Sequence, residues 1–203
     1  LGKKWQSWQR ELAVCNRCSL AASRNQVVWG EYNPGAKVFL LGEAPGGQED
    51  REGKPFVGQA GQVLRQFLQT TGLKEQDIYI SNVVKCRPVK PSVRGHYGLW
   101  ANRPPKAEEI KACGYWLKKE IELIKPKVLV TLGGVPLSQV AQKGTIIGLA
   151  HGQPFISQTF NLPVFPLYHP AAVIYDQSKK AVYEEDLVKF CCWLKQQNLG
   201  VKV

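Results

Sequence analysis

The sequence predicts an α/β fold, a three-layer α/β/α sandwich with a small, central, mainly parallel four-stranded sheet. Three observations carry this. Short β-branched and apolar runs recur at Lys37 to Leu41, Ile78 to Val84, Lys127 to Leu132 and Val164 to Leu167. Helical patterns separate those runs, as parallel strands joined by crossovers require. The 203 residues, 44% of them apolar, suffice for one domain spanning 1–203 with a full core.

The elements follow in chain order. Trp5, Trp8 and Leu12, spaced three and four apart, mark one face of an N-terminal amphipathic helix, and core packing is the expected role of both tryptophans. The first crossover helix is read at Gly58 to Thr71, with Val63, Leu64, Phe67 and Leu68 on one face. Arg87 to Arg103, rich in Pro, Gly and basic residues, reads as a long surface loop able to touch a ligand. A second crossover spans Pro105 to Ile124 through Ile110, Cys113, Leu117 and Ile121, and a short one lies near Pro136 to Gln142. A final helix buries Leu187, Phe190, Cys191 and Leu194, leaving Cys192 a bystander. Internal repeats and low-complexity tracts are absent from the sequence.

Charge and cysteine usage narrow the function. A net charge of +11 favours a polyanionic partner, because Lys and Arg gain affinity by releasing counterions condensed on phosphates. No apolar run reaches the roughly 18 to 20 residues of a membrane helix, and Leu1 to Arg10 is too polar for a signal-peptide core. No membrane association and a cytoplasmic location are therefore expected. In a reducing compartment, Cys15 and Cys18 in a Cys-x-x-Cys pair, joined by Cys86 and Cys113, read as a four-thiolate metal shell rather than as disulfides. A thioredoxin-like pair would follow a strand, and this one follows a helix. Zinc and an iron-sulfur cluster both accept such a shell.

The polar residues cluster at strand ends. Gly42 and Glu43 follow the first strand, Asn82 lies near the end of the second, Gly133 and Gly134 follow the third, and His169 follows the fourth. Open parallel sheets bind ligands at their carboxyl edge, so Glu43, Asn82 and His169 are expected to share a pocket. Singly, each has a structural alternative: a turn cap for Glu43, a backbone bond for Asn82, and a turn before Pro170 for His169. The segment Gly42 to Gly47 matches neither the dinucleotide nor the P-loop fingerprint, which disfavours a nucleotide cofactor.

The segments Gly42-Glu43-Ala44-Pro45-Gly46, Glu49-Asp50, Gly53-Lys54-Pro55-Phe56-Val57-Gly58, Ala60-Gly61, Asn82-Val83-Val84-Lys85-Cys86-Arg87-Pro88 and His169-Pro170-Ala171 form an ordered set along the chain. In these segments and their order, over nearly its whole length, the chain resembles the iron-sulfur, family 4 uracil-DNA glycosylases. The resemblance implies one structural 4Fe-4S cluster on Cys15, Cys18, Cys86 and Cys113, and excision of uracil from single- or double-stranded DNA by a monomer. It places Phe56 against the flipped ring, Asn82 on uracil O4 and N3–H, and His169 on O2, helped by backbone N–H groups near Gly42 and Glu43. Glu43 or Glu49 would position water, with Glu43 favoured for proximity because Ala44 stands where the best-known class of uracil glycosylases has an aspartate. Val173, Ile174 or Tyr175 would wedge into the DNA, with a core position at the start of a helix as the alternative, and Lys179 and Lys180 would hold phosphates or stand as solvated surface. The chain departs from the family's pattern in two places. Val89 to Ala101 reads as an insertion between Cys86 and Cys113, and the arginine usual a few residues after the histidine is missing.

Overall fold

A computed structural model describes residues 2–30, 33–92 and 99–197. In chain order the elements are α1 (Gly2–Ala13), β1 (Val38–Gly42), α2 (Gly47–Glu52), α3 (Gln59–Thr71), β2 (Ile78–Asn82), β3 (Val89–Pro91), β4 (Trp100–Asn102), α4 (Ala107–Ile124), β5 (Val128–Leu132), α5 (Gly134–Val140), α6 (Ile147–Ala150), β6 (Phe155–Ser157), β7 (Leu162–Leu167), α7 (Pro170–Tyr175) and α8 (Lys179–Gln196).

The main sheet runs β2-β1-β5-β7-β6. Its first four strands are parallel, with Val38 opposite both Ile78 and Val128, and Val130 opposite Phe165. These are the four strands expected from the sequence. The fifth, β6, pairs antiparallel with β7 and was not expected, since three residues are too few for a periodic signal.

Strand alternation assigns the two helical layers. Phe39, Leu41, Tyr79 and Leu129 face a core shared with Trp5, Trp8, Leu12, Trp116 and Leu117 of α1 and α4. Val38, Leu40, Val130 and Phe165 face the other way, onto Leu64 of α3, Val173 of α7 and Tyr183, Leu187 and Phe190 of α8. A sheet covered on both sides is the three-layer sandwich, and each fully buried large apolar side chain contributes about 1.5–3 kcal/mol. The tryptophans behave as expected: Trp5 stacks on Trp8 at 4.7 Å, with its edge to Tyr79.

Three details differ from expectation. The buried stripe of α8 is Tyr183, Asp186, Leu187, Phe190 and Leu194, so Cys191 sits at its margin, only partly buried. Val173 is 6% exposed and packs in the core, so it is unavailable as a DNA wedge, whereas Tyr175, two residues on, is 87% exposed. The loop expected at Arg87 to Arg103 contains the antiparallel pair β3 and β4, with Val89 opposite Asn102 and Pro91 opposite Trp100. The remainder of the inserted segment, 93–98, lies outside the described residues.

Among the described residues no helix is long and apolar enough to cross a membrane.

Candidate active site and cysteine cluster

The chain runs from β1 outward to β2, then crosses back to β5 on the far side of β1. That reversal opens a crevice beyond the carboxyl ends of the strands. A cavity of about 760 Å³ occupies it, lined by Glu49, Phe56, Asn82 and His169 together with Arg51 and Arg87. The ends of β2 and β7, helix α2 and the loops after α2 and β2 thus deliver side chains to one space.

Phe56 is held in place by its neighbours. Its φ of 52° is unusual for a bulky residue, and Arg65 donates to its carbonyl oxygen at 2.8 Å. Gly61 must lack a side chain, because a Cβ there would fall 1.7 Å from that same oxygen. A Cβ on Gly42 would meet Asn82 Oδ1 at 2.4 Å and the Phe56 ring at 2.6 Å. Gly42 therefore serves as the thin spacer that lets the amide and the ring approach each other. Phe56 also lies 5.9 Å from His169, with the two rings inclined by 29°.

His169 caps α7, its Nδ1 accepting the Ala171 N–H at 3.1 Å. Burial drives its pKa down to about 4, against an opposing pull from Glu49, so the ring is neutral at pH 7. A neutral ring whose Nδ1 is an acceptor carries its proton on Nε2, which makes His169 a fixed hydrogen-bond donor.

The two carboxylates separate clearly. Glu49 lines the cavity and accepts from Gly46 N–H at 3.0 Å and Gly58 N–H at 2.8 Å, clamping the loops on either side of α2. Each oxygen retains a second acceptor site for a water. Glu43 does not line the cavity, contrary to its proximity in sequence. The chain beyond β1 keeps pairing, Val83 N–H to the Gly42 carbonyl and Val84 N–H to the Glu43 carbonyl, so Glu43 stays on the strand's extension, while Glu49 is the third residue of α2 and turns its carboxylate onto the Gly46 N–H. Burial raises the Glu43 pKa.

Lys179 is partly exposed and bonded to Asp176 at 3.1 Å, and Lys180 is exposed; both stand at the start of α8. Neither lines the cavity.

Beneath Asn82 lies a network that sequence reasoning missed. The fully buried Lys85 ammonium donates to Ser81 Oγ and the Asn82 carbonyl, both at 2.7 Å, and pairs with the equally buried Glu120. Glu120 also accepts from Tyr79 OH at 2.6 Å and Ser81 Oγ at 2.9 Å. The available signal was a lysine directly after Val83 and Val84, and a glutamate three residues from Leu117 on the apolar stripe of α4.

Cys15, Cys18, Cys86 and Cys113 line one narrow recess with Leu12 and Trp116, and all four are free thiols. N–H groups point at three of the sulfurs: Trp116 Nε1 at Cys15 (3.1 Å), Arg24 Nη1 at Cys86 (3.4 Å) and Lys85 N at Cys113 (3.3 Å). Burial pushes the Cys113 thiol up to about 12 and raises Cys86. Deprotonated sulfur in such a recess requires a cationic partner, and the all-sulfur donor set with its N–H support fits a thiolate-ligated group. Among the described residues, no group of three or more Cys, His, Asp or Glu is placed to hold a single metal ion.

Fold and cavity together define an open, mainly parallel α/β domain with a ligand site at the sheet's switch point. The family model for the uracil DNA glycosylase superfamily matches residues 29–195, and the chain belongs to that superfamily. It is 37% identical to a type-4 uracil-DNA glycosylase of Sulfurisphaera tokodaii over 89% of this chain and 80% of that one. With the type-4 uracil-DNA glycosylase of Archaeoglobus fulgidus it shares 35% identity over 94% of each chain, and with that of Thermotoga maritima 37% over 91% of each. In fold it is similar to the crystal structure of wild-type Pedobacter heparinus SMUG2, with a TM-score of 0.53, 16% identity, and coverage of 80% of this chain and 76% of that one.

Proposed function

We propose that this protein is a monofunctional uracil-DNA glycosylase, acting as a single-domain monomer that extrudes uracil from DNA and hydrolyses its N-glycosidic bond. The observation that carries the reading is the convergence of Phe56, Asn82, His169 and Glu49 on one cavity at the carboxyl edge of the sheet. A base inside a duplex is out of reach and must leave the stack, which costs least in mismatched or single-stranded DNA. Phe56 then offers a ring face to the extruded pyrimidine. Asn82, 3% exposed, supplies one donor and one acceptor to the edge that distinguishes uracil from cytosine. His169 Nε2–H donates to O2 as the bond to the sugar breaks and negative charge gathers on the leaving base. Glu49, rather than Glu43, holds the water and faces the cationic sugar. Among the described residues no lysine lines the cavity, and the buried Lys85 ammonium is committed to Glu120, which accords with hydrolysis without a Schiff-base step.

The four cysteines hold a structural 4Fe-4S cluster in this reading. Such a cluster spreads its four thiolates more widely than a single zinc, which draws each sulfur to about 2.3 Å. When bound, it supplies the positive charge that keeps the buried sulfurs deprotonated. Protein purified under anaerobic conditions is expected to contain about four iron and four sulfide per chain, with Cys113→Ser lowering both; stoichiometric zinc without iron would overturn the assignment.

The function is tested by release of uracil from a labelled single-stranded oligonucleotide, read as strand breakage after alkali, with a cytosine control. Base release at uracil alone is expected. Asn82→Ala should lower kcat/KM about 100-fold, since two hydrogen bonds at about 1–1.5 kcal/mol each are lost. Tight DNA binding with no release by the wild-type protein would instead identify a non-catalytic damage-binding module.

A further inference from the structure

The residues assigned so far serve the extruded base and its bond, yet the cavity is larger than one pyrimidine fills. Part of its remaining wall comes from the β3–β4 pair, through Ser92, Trp100, Ala101 and Asn102. This pair is firmly seated. Arg103 donates from Nε to the Val89 carbonyl at 3.0 Å and grips the buried carboxylate of Glu109 through its two terminal guanidinium nitrogens, at 2.8 and 2.6 Å. That contact holds the Glu109 pKa down to about 2. Arg87 donates to Asn102 Oδ1 at 2.8 Å and toward the Trp100 carbonyl at 3.4 Å, and Ser92 N–H bonds the Leu99 carbonyl at 2.9 Å.

On this rigid base stands Trp100, 49% exposed and facing the cavity. Among the described residues no aromatic ring stacks on it. A large indole held open to water beside a cavity, without contributing to either core cluster, is unexplained by folding. Arg51 and Arg87 line the same space. An aromatic face next to cationic groups is the arrangement that binds single-stranded nucleic acid, with bases on the ring and phosphates beside the cations.

We propose that Trp100 is a stacking platform for the base adjacent to the flipped uracil, making the β3–β4 pair a positioning element for the strand that carries the uracil. This rests on the uracil-excision reading above and extends it from the flipped base to its neighbour. Stacking on that neighbour is available only when the base is free of its own partner, so Trp100 favours single-stranded or locally opened DNA.

The test measures binding rather than turnover. Labelled single-stranded oligonucleotides carry a cleavage-resistant 2′-fluorodeoxyuridine, flanked by intact bases or by a base-free spacer on one side or the other. Affinity is read by fluorescence anisotropy at fixed salt for wild-type, Trp100→Ala and Trp100→Phe proteins. Wild-type protein is expected to lose about 5- to 150-fold in affinity when the spacer replaces the base on one particular side, the range that base–aromatic stacking spans. Trp100→Ala should show the same loss with the intact oligonucleotide and little further loss with that spacer; Trp100→Phe should restore most of it. The salt dependence should stay unchanged, since no phosphate contact is removed. Losses that add in full, an alanine variant that binds like wild type, or failure of phenylalanine to restore affinity would each overturn the proposal. Matching thermal melts for the three proteins exclude misfolding as the source of a loss. Failure of the excision reading would appear separately, as wild-type protein that releases no uracil from an ordinary oligonucleotide.

Discussion

His169→Ala is expected to lower the single-turnover rate of uracil release about 10²- to 10³-fold, the usual loss when a preorganised donor to a developing anion is removed. The donor is fixed by two independent features. The Ala171 N–H occupies Nδ1, and burial keeps the ring neutral with a pKa of about 4, so Nε2 carries the proton throughout the neutral range. The alanine variant also loses the side-chain cap of α7, which costs about 1 kcal/mol of stability. His169→Ser separates the two roles, because a serine oxygen can cap the helix but cannot reach the base. It should melt close to wild type and remain as slow as the alanine variant. A serine variant with near-normal turnover would remove His169 from the reaction.

The same histidine sets a pH signature. Its folded pKa lies below the ordinary value of 6.5, so as pH falls from about 6.5 to 4 the unfolded chain takes up a proton that the folded protein refuses. The stability contribution is complete above pH 6.5 and is lost across that window; His169→Ala should flatten this part of the stability profile. Nitrogen-15 NMR should show the Nε2–H tautomer persisting to about pH 4, and an imidazolium signal at pH 6 would contradict the assignment.

What the sequence revealed and what it hid follow from range. The four parallel strands were legible because each is a continuous apolar run, and His169 and Asn82 because strand ends in such a sheet face one crevice. Edge strand β6 and the β3–β4 pair were not, since three-residue strands depend on their partners rather than on local preference. That Glu49 lines the cavity and Glu43 does not depends on packing rather than on distance along the chain: Glu49 is the third residue of α2 and its carboxylate turns back onto the Gly46 N–H, while Glu43 stays on the extension of β1. Val173 and Tyr175 show the same limit: two positions on one short helix, one buried at 6% and the other open to solvent at 87%, a difference decided by how α7 meets α3 and α8.

Lys85→Met is expected to destabilise the protein by about 3–5 kcal/mol, the cost of removing one partner from a buried ion pair. For a chain of this length that is a fall in Tm of about 6–20 °C. Lys85 and Glu120 both have 0% side-chain exposure, and without the ammonium the Glu120 carboxylate would keep only the hydroxyls of Tyr79 and Ser81. The Lys85→Met/Glu120→Leu double variant should recover much of the loss, because it removes the stranded charge as well. The pair also joins the two functional regions. The ammonium holds the main-chain carbonyl of Asn82, while the Lys85 backbone N–H points at the sulfur of Cys113, so one residue ties the end of β2, which carries the Asn82 side chain, to the cysteine recess. The double variant should therefore regain stability without regaining full kcat/KM, since the Asn82 carbonyl has lost its donor and the end of β2 is less firmly placed. A single Lys85→Met variant that melts like wild type would show that Glu120 finds another partner, and the pair would then have no claim to organise either region.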